Sequence, residues 1–465
     1  MKKGSTIEEA FKNVSAVYFA GIGGIGMSAL ARYFNESGIL VSGYDKVPGA
    51  LTEQMVKEGI QIHYEDDVEL IDKNASLVVY TPAIPPDHRE LNYFKSNNYP
   101  VVKRSEILGM ITGQCFNVCI AGTHGKTTTS TMIAHILRHS GEGCTAFLGG
   151  ISTNYETNFW KSDNKNICVA EADEYDRSFL KLKPDIAVIT AMDPDHLDIY
   201  GTEKNMQDAF IEFGSKIKEN GLLIIKDGLT RSGEFNLKNK ITYSLNDTNT
   251  GAYAKNIIIQ NASYRFDVVV EELVLQNVVL NMGGLHNVEN AVAAIAIAVK
   301  MNIAAEKIRE AVFAFKGVKR RFEYIVRERK VVMIDDYAHH PQELNALIQG
   351  VRLLYPGEKC TVVFQPHLFS RTRDLADGFG TVLSTADEVI LLPIYPAREL
   401  PIEGVSSELI LEKITIRNKM ILSKDELLSW VALNKPGLLV TAGAGDIDAL
   451  VMPLKAIIEK VHNVF

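Results

Sequence analysis

Cysteine is scarce in this chain of 465 residues: there are five, an odd number, and no C-x-x-C pair. Cys115, Cys119, Cys144, Cys168 and Cys360 therefore predict neither a disulfide framework nor a zinc site, and buried reduced thiols are expected. Positive charge is not in surplus either. The net charge of −8 removes the electrostatic reason for nucleic acid or an anionic membrane as a partner. Long apolar runs are missing; glycine, proline or a charged residue interrupts each one well short of a membrane span. From Met1 to Ser15 there are lysines with no apolar core behind them, unlike a secretory leader, so a cytoplasmic location is expected. No internal repeat or low-complexity segment is visible.

What remains is an ordinary globular composition, 46% hydrophobic and 23% charged. At about 150 residues per domain the length suggests three domains. The pattern is an alternation of strands and helices. In the first segment it gives a strand at 14–20, a helix at 27–37 with Gly38 as its cap, and strands at 39–44 and 77–80. A second series starts near residue 112, with strands at 167–170, 186–190 and 222–225 and a buried helix at 288–300. The third series starts near 318, with strands at 331–334, 360–364, 388–392 and 437–441. Such βαβ series predict an α/β protein whose three domains (1–111, 112–317 and 318–465) each carry a mostly parallel sheet flanked by helices.

The most informative segment is 118–129. An apolar run ends in Gly122-Thr123-His124-Gly125, followed by Lys126, Thr127 and Thr128 and a helical pattern. Two glycines let the backbone turn its N–H groups toward an anion, and the helix N-terminus favours negative charge there. Lys126 would reach the outer phosphates of a nucleoside triphosphate, and the Thr127 hydroxyl would meet Mg²⁺. The general phosphate-loop pattern has four residues between its glycines; here there are two. A helix start capped by threonine is the plainer reading of the same residues.

An earlier loop, Gly21-x-Gly23-Gly24-x-Gly26, also follows a strand and opens a helix, with Asp45 at the end of the next strand. It fits the dinucleotide fingerprint, so an NAD-dependent oxidoreductase is one reading. The loop physics asks only for a diphosphate, with an acid for sugar hydroxyls, and a UDP-sugar meets that requirement too. Met27 and Ser28 tighten the turn, with Ser28 as a candidate donor.

Two polar turns at strand ends follow the phosphate loop. Glu171, Asp173, Glu174 and Asp176 form the first, a poor core and a good hard-cation site. Glu171, nearest the strand, is the expected ligand. In the second, Asp195 and Asp198 flank His196, which becomes the candidate for a second metal. His286, Asn287 and Asn290 stand ahead of an alanine-rich helix, where they could read a purine edge or, for Asn287, cap the helix. In the third segment, Arg320 and Arg321 are candidate phosphate clamps. Asp335-Asp336-Tyr337-Ala338-His339-His340 ends a strand, and Arg371 lies in another polar cluster suited to a small carboxylate.

Taken in order, GIGGIGMS (21–28), GTHGKTTT (122–129), EADE (171–174), DHLD (195–198), HNVEN (286–290), RRFE (320–323), DDYAHHP (335–341), FQPHLFSRT (364–372) and GAGDI (443–447) resemble the Mur ligase family over nearly the whole chain. The resemblance implies a Rossmann-like N-terminal domain for a UDP-sugar, a P-loop ATPase-like centre and a Rossmann-like C-terminal domain closing over nucleotide and amino acid. It implies ATP and two Mg²⁺ ions as cofactors, with Lys126, Glu171 and His196 catalytic and Thr127, Glu171 and His196 on metal. ATP would be held by 122–128 with His286, Asn287, Asn290, Arg321 and Asp336, the last at the ribose. The UDP-sugar would lie on Gly21, Gly23, Gly24, Gly26, Met27, Ser28 and Asp45, and the amino acid on His340 and Arg371. The implied reaction joins L-alanine to the lactyl carboxylate of UDP-N-acetylmuramate. GIGGIGMS favours that over the murein-tripeptide-recycling activity of the same family, and a monomer or weak homodimer is expected. In two places the chain departs from the family pattern: Tyr175, where serine is frequent, and Leu368, where some relatives carry arginine.

Overall fold

The computed structural model describes residues 11–163, 165–397 and 399–462. Most of the N-terminal stretch read above as unlike a leader lies outside them. Three sheets follow one another along the chain. The first holds β1 (Ala16–Ala20), β2 (Leu40–Tyr44), β3 (Gln61–His63), β4 (Leu77–Tyr80) and β5 (Val101–Lys103), in the order β3-β2-β1-β4-β5. All of its pairings are parallel. β1 is buried along its whole length, as a central parallel strand covered on both faces must be. Helix α1 (Ile25–Glu36) follows β1 and ends as expected. Gly38 takes φ +76°, and the next N–H, that of Ile39, returns to the Phe34 carbonyl at 3.0 Å. Helix α2 (Arg104–Thr112) leads out of β5 toward the second sheet.

The second sheet has ten strands. They are β6 (Phe116–Ala121), β7 (Thr145–Ser152), β8 (Thr157–Trp160), β9 (Ile167–Glu171), β10 (Ile186–Ile189), β11 (Leu222–Lys226), β12 (Lys240–Ser244), β13 (Ala252–Gln260), β14 (Ser263–Val270) and β15 (Leu273–Leu280). The order is β15-β14-β13-β12-β11-β10-β6-β9-β7-β8. It is parallel from β13 to β7 and antiparallel at both ends. Those antiparallel margins go beyond the βαβ alternation the sequence suggests. Helix α3 (Lys126–His139) leaves β6 and packs on α4 (Leu285–Lys300), whose alanine-rich run is buried as expected. α4 starts three residues before the predicted Val288, because Gly284 at φ +87° sets the turn.

The third sheet contains β16 (Glu323–Arg327), β17 (Val332–Asp336), β18 (Cys360–Phe364), β19 (Glu388–Leu391), β20 (Lys419–Ile421) and β21 (Leu438–Ala442), in the order β16-β17-β21-β18-β19-β20. Only β16 is antiparallel to its neighbour. Helices α5 (Pro341–Leu354) and α6 (Phe369–Leu383) follow β17 and β18.

Polar groups tie the first sheet's layer to the second. Arg32, on α1, is nearly fully buried; its Nη1 donates to Asn158 Oδ1 on β8 at 2.5 Å, and its Nε donates to Glu58 at 2.7 Å. Asn158 Nδ2 donates in turn to the Ile25 carbonyl at 2.6 Å and to Ser28 Oγ at 2.9 Å. Lys103 and Arg104 reach Asp176 and Asp173 at 2.9 and 3.5 Å. No helix among the described residues is long and apolar enough to cross a membrane, and all five cysteines are free thiols.

Candidate active site

The carboxyl ends of β1, β6 and β17 open on one cavity of about 1380 Å³, lined by residues from all three sheets' layers. This is where ligands gather in open parallel sheets. The second glycine loop forms its centre. Gly122 takes φ +134° at the end of β6, and a Cβ there would lie 2.1 Å from Thr190 Oγ1. Gly125 takes φ +82° as the N-cap of α3, and a Cβ there would lie 2.8 Å from Asn290 Oδ1. Only glycine fits either place. Thr123, His124, Gly125, Lys126, Thr127 and Thr128 line the cavity, while Gly122 sits behind them. The first-turn N–H groups of α3 have no intrahelical partners and form an anion seat.

Lys126 is not extended into that seat. Its Nζ donates to the Gly122 carbonyl and to both oxygens of Glu174, each at 2.7 Å. The Glu174 side chain is 1% exposed. Burial pushes its carboxyl above the usual range, and Lys126 opposes that push. Glu174, one of the four acids of that turn, is the buried counter-ion of the loop lysine. Among the other acids of that turn, Asp173 and Asp176 face Arg104 and Lys103, and Glu171 and Asp173 line the cavity. Glu171 Oε2 is buried with no hydrogen-bond partner among the described residues. It lies against Gly149, where a Cβ would come within 2.1 Å of it. An orphaned carboxylate oxygen in a cradle that only glycine permits fits a hard cation.

His196, the candidate for a second metal, is not among the residues lining the cavity. Its Nε2 lies 3.6 Å from Asp195 and 4.0 Å from Glu174, and Glu174, Asp195 and His196 bring three ligand atoms within 4.8 Å of one another. Around the far rim, His286, Asn287, Asn290, Arg321 and Asp336 all line the cavity. Asn287 is not a cap. It stands inside α4, where its Nδ2 donates to the Gly283 carbonyl at 2.6 Å and its Oδ1 accepts from Asn290 at 3.2 Å. Burial lowers the His286 pKa, aided by Lys226 and Arg321, and so favours a neutral ring. Asp336 accepts from the N–H groups of Phe322 and Ala338 at 2.7 Å each, yet burial still pushes it up to about 6. Arg320 is structural: it donates to Asp335 at 3.2 Å and to the Gly443 carbonyl.

The first glycine loop lines the opposite wall through Gly21, Gly23, Gly24, Gly26 and Met27. Asp45 is there too, and its Oδ2 accepts from the Gly23 N–H at 2.7 Å. Ser28 is a correction. It is fully buried and donates to the Ile25 carbonyl at 2.9 Å while accepting from Asn158, so it braces the loop and faces no ligand. Arg104 was missed. It lines the cavity beside Gly26, where a Cβ would lie 2.8 Å from its Nη1, and its place just after β5 was the available clue.

In the third layer, His340 lines the cavity, but as the N-cap of α5 its Nδ1 accepts from the Gln342 N–H at 3.4 Å. Arg371 is outside the lining and meets His367 Nδ1 at 3.4 Å. The ring of His339 packs between Tyr337 and His367, and His367 stacks on Tyr395. That ring cluster was not singled out, because nothing in residue spacing distinguishes His339 from His340.

The Mur ligase middle domain matches residues 120–298, the Mur ligase family catalytic domain 16–114, and the Mur ligase glutamate ligase domain 320–445. The UDP-N-acetylmuramate–L-alanine ligase of Porphyromonas gingivalis W83 is 50% identical over 446 residues, covering 94% of this chain and 98% of that protein. The ligase of the same name from Flavobacterium johnsoniae is 47% identical over 452 residues, covering 96% and 98%. Among solved structures, the UDP-N-acetylmuramate–alanine ligase of Thermotoga maritima superposes with a TM-score of 0.82 at 26% identity, over 97% of this chain and 100% of that one. A murein peptide ligase from Psychrobacter arcticus shares the fold, with a TM-score of 0.67 at 22% identity over 97% and 99%. The oxidoreductase reading of the first loop gives way to these matches, and the chain belongs to the Mur ligase family.

Proposed function

We propose that the protein joins L-alanine to the lactyl carboxylate of UDP-N-acetylmuramate, converting ATP to ADP and phosphate. One observation carries the reading: the diphosphate-type loop at Gly21–Gly26 and the lysine-bearing loop at Gly122–Lys126 face a single cavity. The relatives at 50% and 47% identity bear the name of that activity.

A carboxylate is a poor acyl donor because its leaving group would be oxide. Its oxygen attacks the γ-phosphorus of ATP, ADP leaves, and an acyl phosphate forms. The neutral amine of alanine then attacks the acyl carbon, and phosphate departs with the bonding pair. Residues 112–317 serve ATP: the α3 N-terminus and Lys126 hold phosphates, and His286 and Asn290 flank the adenine; from the third domain Arg321 reaches a phosphate and Asp336 the ribose. Residues 1–111 serve the UDP-sugar through the first loop and Asp45, with Arg104 toward its diphosphate. Residues 318–465 close over nucleotide and amino acid, with His340 and Arg371 near the latter. Closure excludes water, which protects the acyl phosphate from hydrolysis. Thr127 with Glu171, and His196, would hold two magnesium ions, which when bound supply positive charge against phosphate repulsion. The enzyme acts in the cytoplasm, as a monomer or a weak homodimer.

The test is ADP release with UDP-N-acetylmuramate against a panel of amino acids and the murein tripeptide. Release should require the nucleotide sugar and an amino acid together, with L-alanine the best. Release indifferent to both would overturn the reading, and preference for the tripeptide would move the protein to the recycling activity.

A further inference from the structure

Lys126 has an ammonium with three donors. In this structure the ammonium is engaged by the Gly122 carbonyl and by both oxygens of the Glu174 carboxylate, every distance 2.7 Å. A phosphate oxygen must compete with these partners for Nζ. The Gly122 carbonyl belongs to the fixed end of β6, so the partner to be released is Glu174. That carboxylate is 1% exposed, and removing the lysine ammonium without replacement would leave its buried charge unbalanced. A replacement is within reach. Glu174 Oε1 lies 4.0 Å from His196 Nε2, and Asp195 lies 3.6 Å from the same nitrogen, with the three ligand atoms within 4.8 Å of one another. Tyr200 holds the turn in place by donating to the Glu174 carbonyl at 2.6 Å.

We propose that Glu174 is a positioning residue that holds Lys126 beside the α3 N-terminus, and that nucleotide and a divalent cation together exchange the pair, phosphate taking Lys126 and the cation taking Glu174. The inference rests on the ATP reading above. Its consequence is thermodynamic: each ligand removes the obstacle to the other, so their binding is positively and reciprocally coupled through one carboxylate.

The test measures ADP affinity by calorimetry, with and without Mg²⁺, in the wild-type protein, Glu174→Gln and Glu174→Asp. Glutamine keeps an acceptor but not the competing charge. Metal-free Glu174→Gln should bind ADP at least fivefold more tightly than metal-free wild type, and its gain on adding Mg²⁺ should shrink by a similar factor. Glu174→Asp, which keeps the charge, should stay within about twofold of wild type. Weaker metal-free binding by folded Glu174→Gln, or an unchanged Mg²⁺ gain, overturns the exchange. A structure of the wild-type protein with ADP and Mg²⁺ decides the matter if the variant does not fold. A Lys126–Glu174 separation beyond 4 Å is expected, and a retained 2.7 Å contact overturns the exchange while leaving the ATP site standing. Failure of the wild-type protein to bind ADP at all would instead remove the site reading itself.

Discussion

Two glycine loops occupy equivalent places, each at the end of a central parallel strand and the start of a helix, and they are built differently. In the first, the protein satisfies the turn itself. Gly21 and Ile22 donate to the Tyr44 carbonyl at 2.8 and 2.9 Å, and Gly23 donates to Asp45. In the second, Gly122 and Gly125 press against Thr190 and Asn290 with no room for a Cβ, and the cation at the helix start is Lys126. The first loop is a shaped wall that offers its remaining N–H groups to a spread-out diphosphate. The second concentrates charge and has to balance it internally until a ligand arrives. A glycine pattern alone does not separate the two; the lysine and its buried acid do.

The largest expected break in this comparison is Lys126→Met. Alanine-dependent ADP release should fall by about 10³-fold, the scale of losing a key transition-state cation. Stability should fall as well, by about 3–5 kcal/mol near neutral pH, because Glu174 is left buried and unpaired. The sign of its pH dependence follows from Glu174. Burial raises its carboxyl above the usual range, so the neutral form is favoured in the folded state, and that contribution is lost as pH rises through the raised value. The stability gap between Lys126→Met and wild type should therefore narrow on acidification from neutral pH, read by thermal melts across pH. A gap that widens would mean the acid is not the source of the loss.

Next in size is Gly122→Ala, expected to cost at least about 2 kcal/mol from the clash with Thr190 and the strained φ. Chemical denaturation measures it, and a cost below about 0.5 kcal/mol would show the position to be as tolerant as Gly24, the one open glycine of the first loop. Asp45→Ala should raise KM for the nucleotide sugar about tenfold, near 1.4 kcal/mol. KM for ATP should stay within twofold in the same steady-state assay, and a parallel rise in both would blur the division between the loops. The smallest effect belongs to Gly24→Ala. Gly24 has φ −63°, and a Cβ there would meet nothing closer than 3.6 Å, so stability should change by no more than about 0.5 kcal/mol.

Most of the sheet scaffold was legible because parallel strands buried on both faces are continuous apolar runs. β1, β4, β10 and β18 appear within two residues of where the runs fall. The antiparallel strands β13 to β15 were not, since their outer faces carry lysine, asparagine and glutamine in a pattern that also suits loops. In the site, the glycines and Lys126 declared themselves through backbone chemistry. Glu174 did not. It lies on a turn where Asp176 and Arg177 take φ +51° and +54°, so no periodicity tells which acid turns inward. Ser28 misled because it has the right chemistry while its hydroxyl is committed to the Ile25 carbonyl and Asn158.

The Arg32–Asn158–Ser28 cluster has a practical corollary. By bolting α1 to β8 it sets the spacing between the two anion seats before any ligand arrives. A bivalent inhibitor carrying one phosphate mimic for each seat would meet a fixed gap, so the length of its tether has a single optimum. At that length the second arm binds at a high effective concentration without a new contact, and with shorter tethers the advantage disappears.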